Sequence, residues 1–411
     1  MSVRPEFTCF GGKRVHLGVC GSIASCKSPD LLRMLLKSGV SVGATLTRSA
    51  QEFVRPLLFE ALGAAPVYSG MFPSEAPASP DIFGHLEPGQ NADAMLVAPA
   101  TANIIAKLAS GIADDMLSAQ ALAFRGPLLL APAMNPRLWE AEATRENWEK
   151  LKRRGCICLE PGLGSMACGE EGQGRLPDVY EICMRTLRAL APQDLAGRRV
   201  LVTLGPTREM WDGVRFWSNP SSGAMGASLA AAAWLRGAEV TAVVGPCEVR
   251  MPEGVRVLQV RSAREMYDAA MVLWPDTDIG CLTAAVADFR PVPVGREKYK
   301  KDQLGDGRLA IEFELNADIL RTMGQNKKAG QMLVGFAAET SNLVENARRK
   351  LQNKNCDMLA ANVVGVPESG FEASTNRIVL LDRTGREESW PVLPKSEVAW
   401  RIWDHVSLLS S

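Results

Sequence analysis

The sequence predicts an α/β protein made of two doubly wound units, one after the other. Short apolar runs alternate with helically spaced apolar residues along most of the chain, the pattern of parallel strands joined by crossover helices. An opening theme of strand, small-residue turn, helix and strand starts at Arg14 and returns at Arg199. The length of 411 residues leaves room for two or three domains at roughly 150 residues each. A connector at Ala189–Arg198, with Pro, Asp and Gly after a helical pattern, divides the chain into domains 1–189 and 190–411.

Each element has a local reason. Arg14–Val19 (RVHLGV) is the first strand and runs into the small-residue turn CGSIASCK. Ser28–Ser38 carries apolar residues at helical spacing. Ser28 reads as the N-cap and Pro29 as the first helical residue, where a missing N–H is no loss. Gly39 ends that helix and Val40–Thr47 is the next strand. Further strands are expected at Ala94–Ala98, Pro127–Ala131 and Ile157–Glu160, with helical patterns between them. In the second half, Arg199–Leu204 is a strand, followed by a long polar turn to Gly223. An Ala-rich helix, Ala224–Arg236, and a strand, Ala238–Val244, come next. Strands are expected at Ile279–Thr283, Met332–Ala337 and Met358–Ala361. Arg377–Asp382 and Glu388–Val392 read as a hairpin before a last helix, Lys395–Leu409.

Composition narrows the function. Lys+Arg and Asp+Glu both count 46, so the basic excess of a general nucleic-acid binder is missing. The N-terminus lacks a signal-like apolar run, and no stretch reaches about 18 unbroken apolar residues. A soluble cytoplasmic protein, with neither nucleic acid nor membrane as partner, is the expectation. Ten cysteines are too sparse for a disulfide scaffold, and Cys156 and Cys158 alternate as strand residues do. Three histidines argue against a His-rich metal centre, and no metal ligands are assigned.

Polar residues gather at the expected strand ends, where ligands of open α/β sheets sit. Gly21, Ser22 and Ser25 offer N–H and O–H groups to a phosphate, or form a plain strand–helix turn. Their spacing matches neither G-x-G-x-x-G nor G-x-x-x-x-G-K-[ST]. Thr47-Arg48-Ser49 and Ala98–Asn103 add donors at two further strand ends.

Five segments then stand together: Gly21-x-Ile23-Ala24-x-x-Lys27, Gly84-His85-Leu86-Glu87, Pro99-Ala100-Thr101-Ala102-Asn103, Pro132-Ala133-Met134-Asn135, and the run from Ser165 to Arg175, SMACGxxGxGR. Over residues 12–185 the chain resembles the phosphopantothenoylcysteine decarboxylase family of flavoproteins. The resemblance implies a flavodoxin-like three-layer domain. FMN would be bound by Gly21, Ser22, Ile23, Ser25, Thr47, Ser49, Pro99, Ala100, Thr101 and Asn103. The implied chemistry oxidises the substrate thiol to a thioaldehyde, an electron sink for loss of CO2, and then reduces the enethiolate. His85 is expected as acid/base, and Asn135 as the neutral holder of the substrate carboxylate, as the cap of the helix starting at Pro136, or as both. Cys168 is expected as the final proton donor. Met134, Met166, Ala167 and Arg175 are expected to close a Gly-rich flap over the substrate.

The second half carries Gly205-Pro-Thr-Arg208-Glu, Ser218-Asn219-Pro-Ser221-Ser222-Gly223, Ala284-Ala-Val-Ala-Asp288-Phe289, Lys298-Tyr-Lys300-Lys301, Gly335-Phe336-Ala-Ala-Glu-Thr340, and Lys350 and Lys354 four apart. Over residues 196–408 it resembles phosphopantothenate–cysteine ligase. The resemblance implies that CTP activates 4'-phosphopantothenate as an acyl-cytidylate, which the cysteine amine attacks, with Mg2+ (or Mn2+) on the leaving pyrophosphate. Lys298 is expected on the triphosphate and transition state, helped by Lys300 and Lys301, and Asn219 on the acyl carbonyl. Ala284, Asp288, Phe336, Lys350 and Lys354 are expected on CTP, with Arg208, Ser221, Ser222 and Gly223 in a substrate loop. Many relatives read SNHSSGKMG; here Pro220 and Ala224 replace the histidine and lysine, and Val363 stands where Asp is frequent. The resemblance also implies a homo-oligomer, with decarboxylase trimers (gathered into dodecamers) and ligase dimers. Two rival readings are a non-catalytic flavin-binding regulatory protein and a nicotinamide-dependent oxidoreductase. Retention of His85, Asn135 and Cys168 opposes the first, and the missing glycine fingerprint opposes the second.

Overall fold

The computed structural model describes residues 4–71, 83–165, 169–300, 308–339, 342–363, 370 and 373–410. The chain separates into two compact units, Phe7–Ala191 and Pro192–Ser411.

The first unit holds a parallel sheet of β1 (Arg14–Val19), β2 (Ser41–Leu46), β3 (Val67–Tyr68), β4 (Ala94–Ala100), β5 (Leu128–Pro132) and β6 (Ile157–Cys158). Their spatial order is β3-β2-β1-β4-β5-β6. β3 is a two-residue edge; without it the order is that of flavodoxin-like sheets. β4 is buried along its whole length and β1 is buried after its first residue, which explains why both read as continuous apolar runs. Right-handed crossovers leave the β1–β4 pair in opposite directions and so place helices on both faces. Helix Ser28–Lys37 contacts Val179–Leu190, and Ala102–Ser110 contacts Glu142–Arg153. The core of the second face joins Met95, Val97, Ile105, Leu130, Leu151, Trp139 and Trp148. The two tryptophan rings meet edge to face at 5.2 Å.

One expectation needs correction. The helix begins at Ser28, after a 3-10 turn at Ile23–Lys27, so Lys27 holds the N-cap position and Pro29 is the second helical residue. The Ser28 hydroxyl is buried and donates to the Ala98 carbonyl of β4 at 2.9 Å instead of capping its own helix. The Gly-rich stretch around Gly164 is an antiparallel hairpin of β7 (Gly162–Ser165) and β8 (Glu171–Arg175). Its glycines and charges hide the period-two signal of a strand.

The second unit repeats the plan on a larger scale. Its strands are β9 (Arg199–Leu204), β10 (Glu209–Met210), β11 (Phe216–Trp217), β12 (Glu239–Val244), β13 (Arg256–Gln259), β14 (Ile279–Leu282), β15 (Phe289–Pro291), β16 (Phe313–Leu315), β17 (Met332–Glu339), β18 (Met358–Val363), β19 (Thr375–Asp382) and β20 (Glu387–Pro394). The eight-stranded sheet runs β13-β12-β9-β14-β17-β18-β19-β20. It is parallel up to β18, and β19 and β20 close it as the expected antiparallel hairpin. β10–β11 and β15–β16 are short antiparallel ribbons. β13, an edge strand that is mostly exposed, escapes the sequence pattern because Arg256 and Gln259 break its apolar run. Helix Ala224–Leu235 is buried on every side from Gly226 onward, as its unbroken small-residue composition predicts. A Cβ at Gly226 would lie 2.3 Å from Leu204 Cβ, so glycine is what lets this helix rest against β9.

His16 is among the titratable residues buried in the first unit. His16 on β1 is 1% exposed, and its Nε2 lies 2.7 Å from Thr45 Oγ1. Burial, with Arg14 adding repulsion, pulls its pKa down from 6.5 to about 3. The unfolded chain therefore takes up this proton as pH falls through 6.5, while the folded chain refuses it until about 3. The contribution to stability is whole above that window and is lost on acidification, by about 1.4 kcal/mol per pH unit. Between about pH 6.5 and about pH 5, His16→Gln should remove about 2 kcal/mol of the acid-induced loss. Urea midpoints of parent and variant check this; parallel pH profiles would show that His16 is not the group responsible.

Candidate functional sites

In the first unit a cavity of about 800 Å³ opens at the carboxyl ends of β1, β2, β4 and β5. Gly21, Ser22, Thr47, Ser49, Thr101, Asn103, Met134 and Asn135 line it, as expected, together with Arg48, Lys107 and Asp115. Gly21 is required because a Cβ there would stand 2.3 Å from Ser49 Cβ; the loops after β1 and β2 can close only around a bare backbone. Ser22, Thr47 and Thr101 each accept a local backbone N–H, from Ala24, Ala50 and Ile104. Each hydroxyl keeps its own proton to donate. Ser25 is fully buried and its Oγ has no partner among the described residues. The Lys107 ammonium is neutralised by Asp114 and Asp115, both at 2.6 Å. Arg48 makes no ion pair among the described residues and is the cation this rim offers to an anion. The donor set and the apolar sides of Met134 and Leu138 fit a phosphorylated planar ring of FMN type.

Asn135 does cap helix Pro136–Glu140: its Oδ1 accepts the Arg137 N–H at 2.9 Å. Its Nδ2 donates to Glu170 Oε2 at 2.8 Å, and Glu170 pairs with Arg137 at 2.7 Å. Several expected residues do not line the cavity. Ile23 is 60% exposed. Ser25, Pro99 and Ala100 are buried behind it. Arg175 is exposed on β8. His85 sits half-buried in the turn Phe83–Leu86, edge-on to Phe83 at 6.3 Å. Met166, Ala167 and Cys168 lie outside the described residues.

In the second unit a cavity of about 420 Å³ opens where β9 meets β14, against the start of helix Ala224–Leu235. Asn219, Ser221, Gly223, Ala284, Asp288, Phe336 and Lys350 line it, as expected. Gly223 precedes the helix at φ 74° and has no side chain to cap it, so the positive end of the dipole faces the cavity. Asn219 Nδ2 donates to the Ala285 and Val286 carbonyls, both at 3.2 Å. Both of its protons hold that turn, so in this state Asn219 shapes the cavity wall and does not point a free donor into the cavity.

The lysines separate. Lys350 reaches the cavity. Lys354 caps the C-terminus of helix Leu343–Asn353, its N–H still donating to the Lys350 carbonyl at 3.0 Å as one turn of that helix, but its ammonium pairs with Asp318 and is outside the cavity lining. Lys298 and Lys300 are exposed and outside the cavity lining, and Lys301 lies outside the described residues. Their segment is tied down at Tyr299, whose N–H donates to Asp212 Oδ2 at 3.1 Å and whose ring lies 5.2 Å from Trp211. Burial would raise the Asp212 pKa, but N–H groups of Arg215, Val214 and Tyr299 and the Arg215 guanidinium bring it to about 2. Arg208 stacks over Phe216 at 4.8 Å. The Ser222 hydroxyl accepts the Ala224 N–H at 3.5 Å. Neither lines the cavity.

The sequence reading missed Thr283, Asn362, Asn376 and Lys395 on this lining. Lys395 is 5% exposed, donates to the Gly370 carbonyl at 3.2 Å, and is brought by burial to about 8. Asn376 is 3% exposed, and its Oδ1 has no partner among the described residues. Asn376 is hidden in the polar run Ser374-Thr375-Asn376-Arg377, and Lys395 left no signal either. Among the described residues, no three His, Cys, Asp or Glu side chains gather as a metal site, and no helix is long and apolar enough to cross a membrane. Asn219→Asp should set a carboxylate against two carbonyls and cut ligase-type turnover about 10²-fold or more, with the fold retained; an unchanged rate would remove Asn219 from the site.

Comparison with known proteins covers both halves. Residues 4–190 match the family described as flavoprotein, and residues 195–409 match the DNA/pantothenate metabolism flavoprotein C-terminal domain. The coenzyme A biosynthesis bifunctional protein CoaBC of Bacillus subtilis is 39% identical over 97% of this chain and 97% of its own. That of Vibrio cholerae is 40% identical over 94% and 96%, and that of Escherichia coli 41% over 91% and 92%. With both cavities built from the matching segments and the likeness running nearly end to end, the chain belongs to the family of coenzyme A biosynthesis bifunctional proteins.

Proposed function

We propose that the chain catalyses two consecutive steps of coenzyme A biosynthesis. CTP-dependent ligation joins 4'-phosphopantothenate to cysteine through an acyl-cytidylate. FMN-dependent decarboxylation then converts 4'-phosphopantothenoylcysteine to 4'-phosphopantetheine. The chain is thus a carboxy-lyase and an acid–amino-acid ligase in one polypeptide. The observation that carries this reading is that each unit gathers its own motif residues at a strand-end cavity.

When bound, FMN supplies the two-electron acceptor and donor for the substrate thiol. The chain's part is to hold and to move protons. Ser22, Thr47 and Thr101 direct hydroxyls at the phosphate, with Arg48 as counter-charge. Asn135 takes the substrate carboxylate in the place where it now holds Glu170. An amide there orients the group without a full charge that would oppose its loss. His85 serves as acid/base, and Cys168 returns the last proton. His85 stands apart from the cavity lining of its own chain, which supports completion of the site by a second copy. Exposed Leu57, Leu138 and Leu163 offer apolar contact area on the first unit, and Trp217, Phe289 and Leu315 on the second. Trimers, gathered into dodecamers, and ligase dimers are the proposed assembly, in the cytoplasm.

In the ligase site the helix start at Gly223 receives phosphates. Lys350 adds charge from inside the cavity, and Lys298 from the tethered segment outside it. Asp288, a carboxylate of this lining, holds cytidine or a Mg2+ ion carried mainly by the phosphates. Ala224 removes a cation at the helix start, and Lys395 supplies one elsewhere on the same lining.

One assay tests the whole: phosphopantothenate, cysteine and CTP should yield pyrophosphate, CO2 and 4'-phosphopantetheine. Failure of cysteine-dependent pyrophosphate release would overturn the ligase assignment. His85→Asn should lose CO2 release by about 10²-fold or more while keeping flavin absorbance and pyrophosphate release; loss of both activities would show that the sites are not separable.

A further inference from the structure

The turn that carries His85 is fixed by a buried polar chain that the reaction itself does not use. Gly84 immediately precedes His85, and its carbonyl accepts Gln120 Nε2 at 2.9 Å. Gln120 Oε1 accepts the Thr45 hydroxyl at 2.6 Å. Because the single Thr45 proton goes to Gln120, the 2.7 Å contact with His16 requires His16 to donate from Nε2. His16, Thr45 and Gln120 are each at most 1% exposed. On the other side of His85, Glu87 pairs with Arg14 at 2.9 Å and accepts Asn91 Nδ2 at 3.3 Å. Gly84 itself has no room for a side chain, since a Cβ would stand 2.6 Å from Tyr68 Cε1.

Apolar side chains of the same volume fill a core at lower desolvation cost. Here three buried polar residues from β1, β2 and helix Met116–Ala123 are arranged in a line whose far end is the backbone beside His85. We propose that Gln120 is a positioning residue for the decarboxylation step: with Thr45 and His16 behind it, it sets where the His85 ring stands relative to the substrate. The proposal rests on the assignment of His85 as acid/base.

The chain separates positioning from simple stability. Gln120→Met keeps length and apolar contact but withdraws the donor from Gly84. Displacement of the turn by about 1 Å should lower decarboxylase kcat about 10²-fold, with KM within about threefold, flavin absorbance retained and ligase turnover unchanged. Amide hydrogen exchange across 83–92, read by mass spectrometry, should become faster, because the Leu86 N–H to Phe83 bond would lose its support. Thr45→Val, which leaves the Gly84 bond in place but frees Gln120 to rotate, should show the same two changes at smaller amplitude. It carries the test if Gln120→Met fails to fold. Decarboxylase kcat within twofold of the parent, or unaltered exchange over 83–92, in a folded variant would overturn the proposal. Full activity of His85→Asn would instead remove the assignment beneath it, and the exchange measurement would still read the tether.

Discussion

In each half of the molecule, two neighbouring parallel strands send their crossover helices in opposite directions, β1 with β4 and β9 with β14. No helix can cover the crevice above such a pair, so backbone N–H groups and strand-end side chains are left facing outward together. The rest follows from keeping that crevice open but tightly walled. Gly21 lets two loops touch at its rim, and Gly226 lets the helix behind it lie flat on β9. Hydroxyls at the rim are held by cap bonds to their own backbone, so they are oriented before a ligand arrives.

The two cavities balance charge differently. In the first, Lys107 is cancelled by two aspartates, and the exposed guanidinium of Arg48 remains. In the second, Lys350 and Lys395 reach the cavity itself, although burial pulls Lys395 down to about 8. A single phosphate needs less opposing charge than a triphosphate with its leaving group, and the lysine placement follows that difference.

Much of this was legible in the residues. Continuous apolar runs marked β1, β4, β5 and β9 because parallel strands bury both faces, and the motif segments between them named most of both cavity linings. What stayed hidden was long-range. Lys395 and Asn376 reach the ligase cavity from the last strands and helix, and only the register of β18, β19 and β20 brings them there. The Ser28 hydroxyl left its cap position for a carbonyl on β4, a tertiary pull that no local propensity records. Lys350 and Lys354 do stand one helical turn apart, but an ion pair with Asp318, distant in sequence, holds Lys354 outside the cavity lining. His85 was legible as a motif, yet the polar chain behind it joins residues from 16 to 120 that share no pattern.

The turn at Trp211–Arg215 belongs to the same long loop that carries Asn219, and it also grips the backbone at Tyr299. The segment leading to Asn219 and the segment carrying Lys298, distant in sequence, therefore share one anchor point. The length of that loop is constrained from both ends: an insertion between Asp212 and Asn219 would put the amide and the lysine segment out of step with each other. Residues 211–215 and the segment around Tyr299 thus form one tethered unit, in which a change on either side is passed to the other.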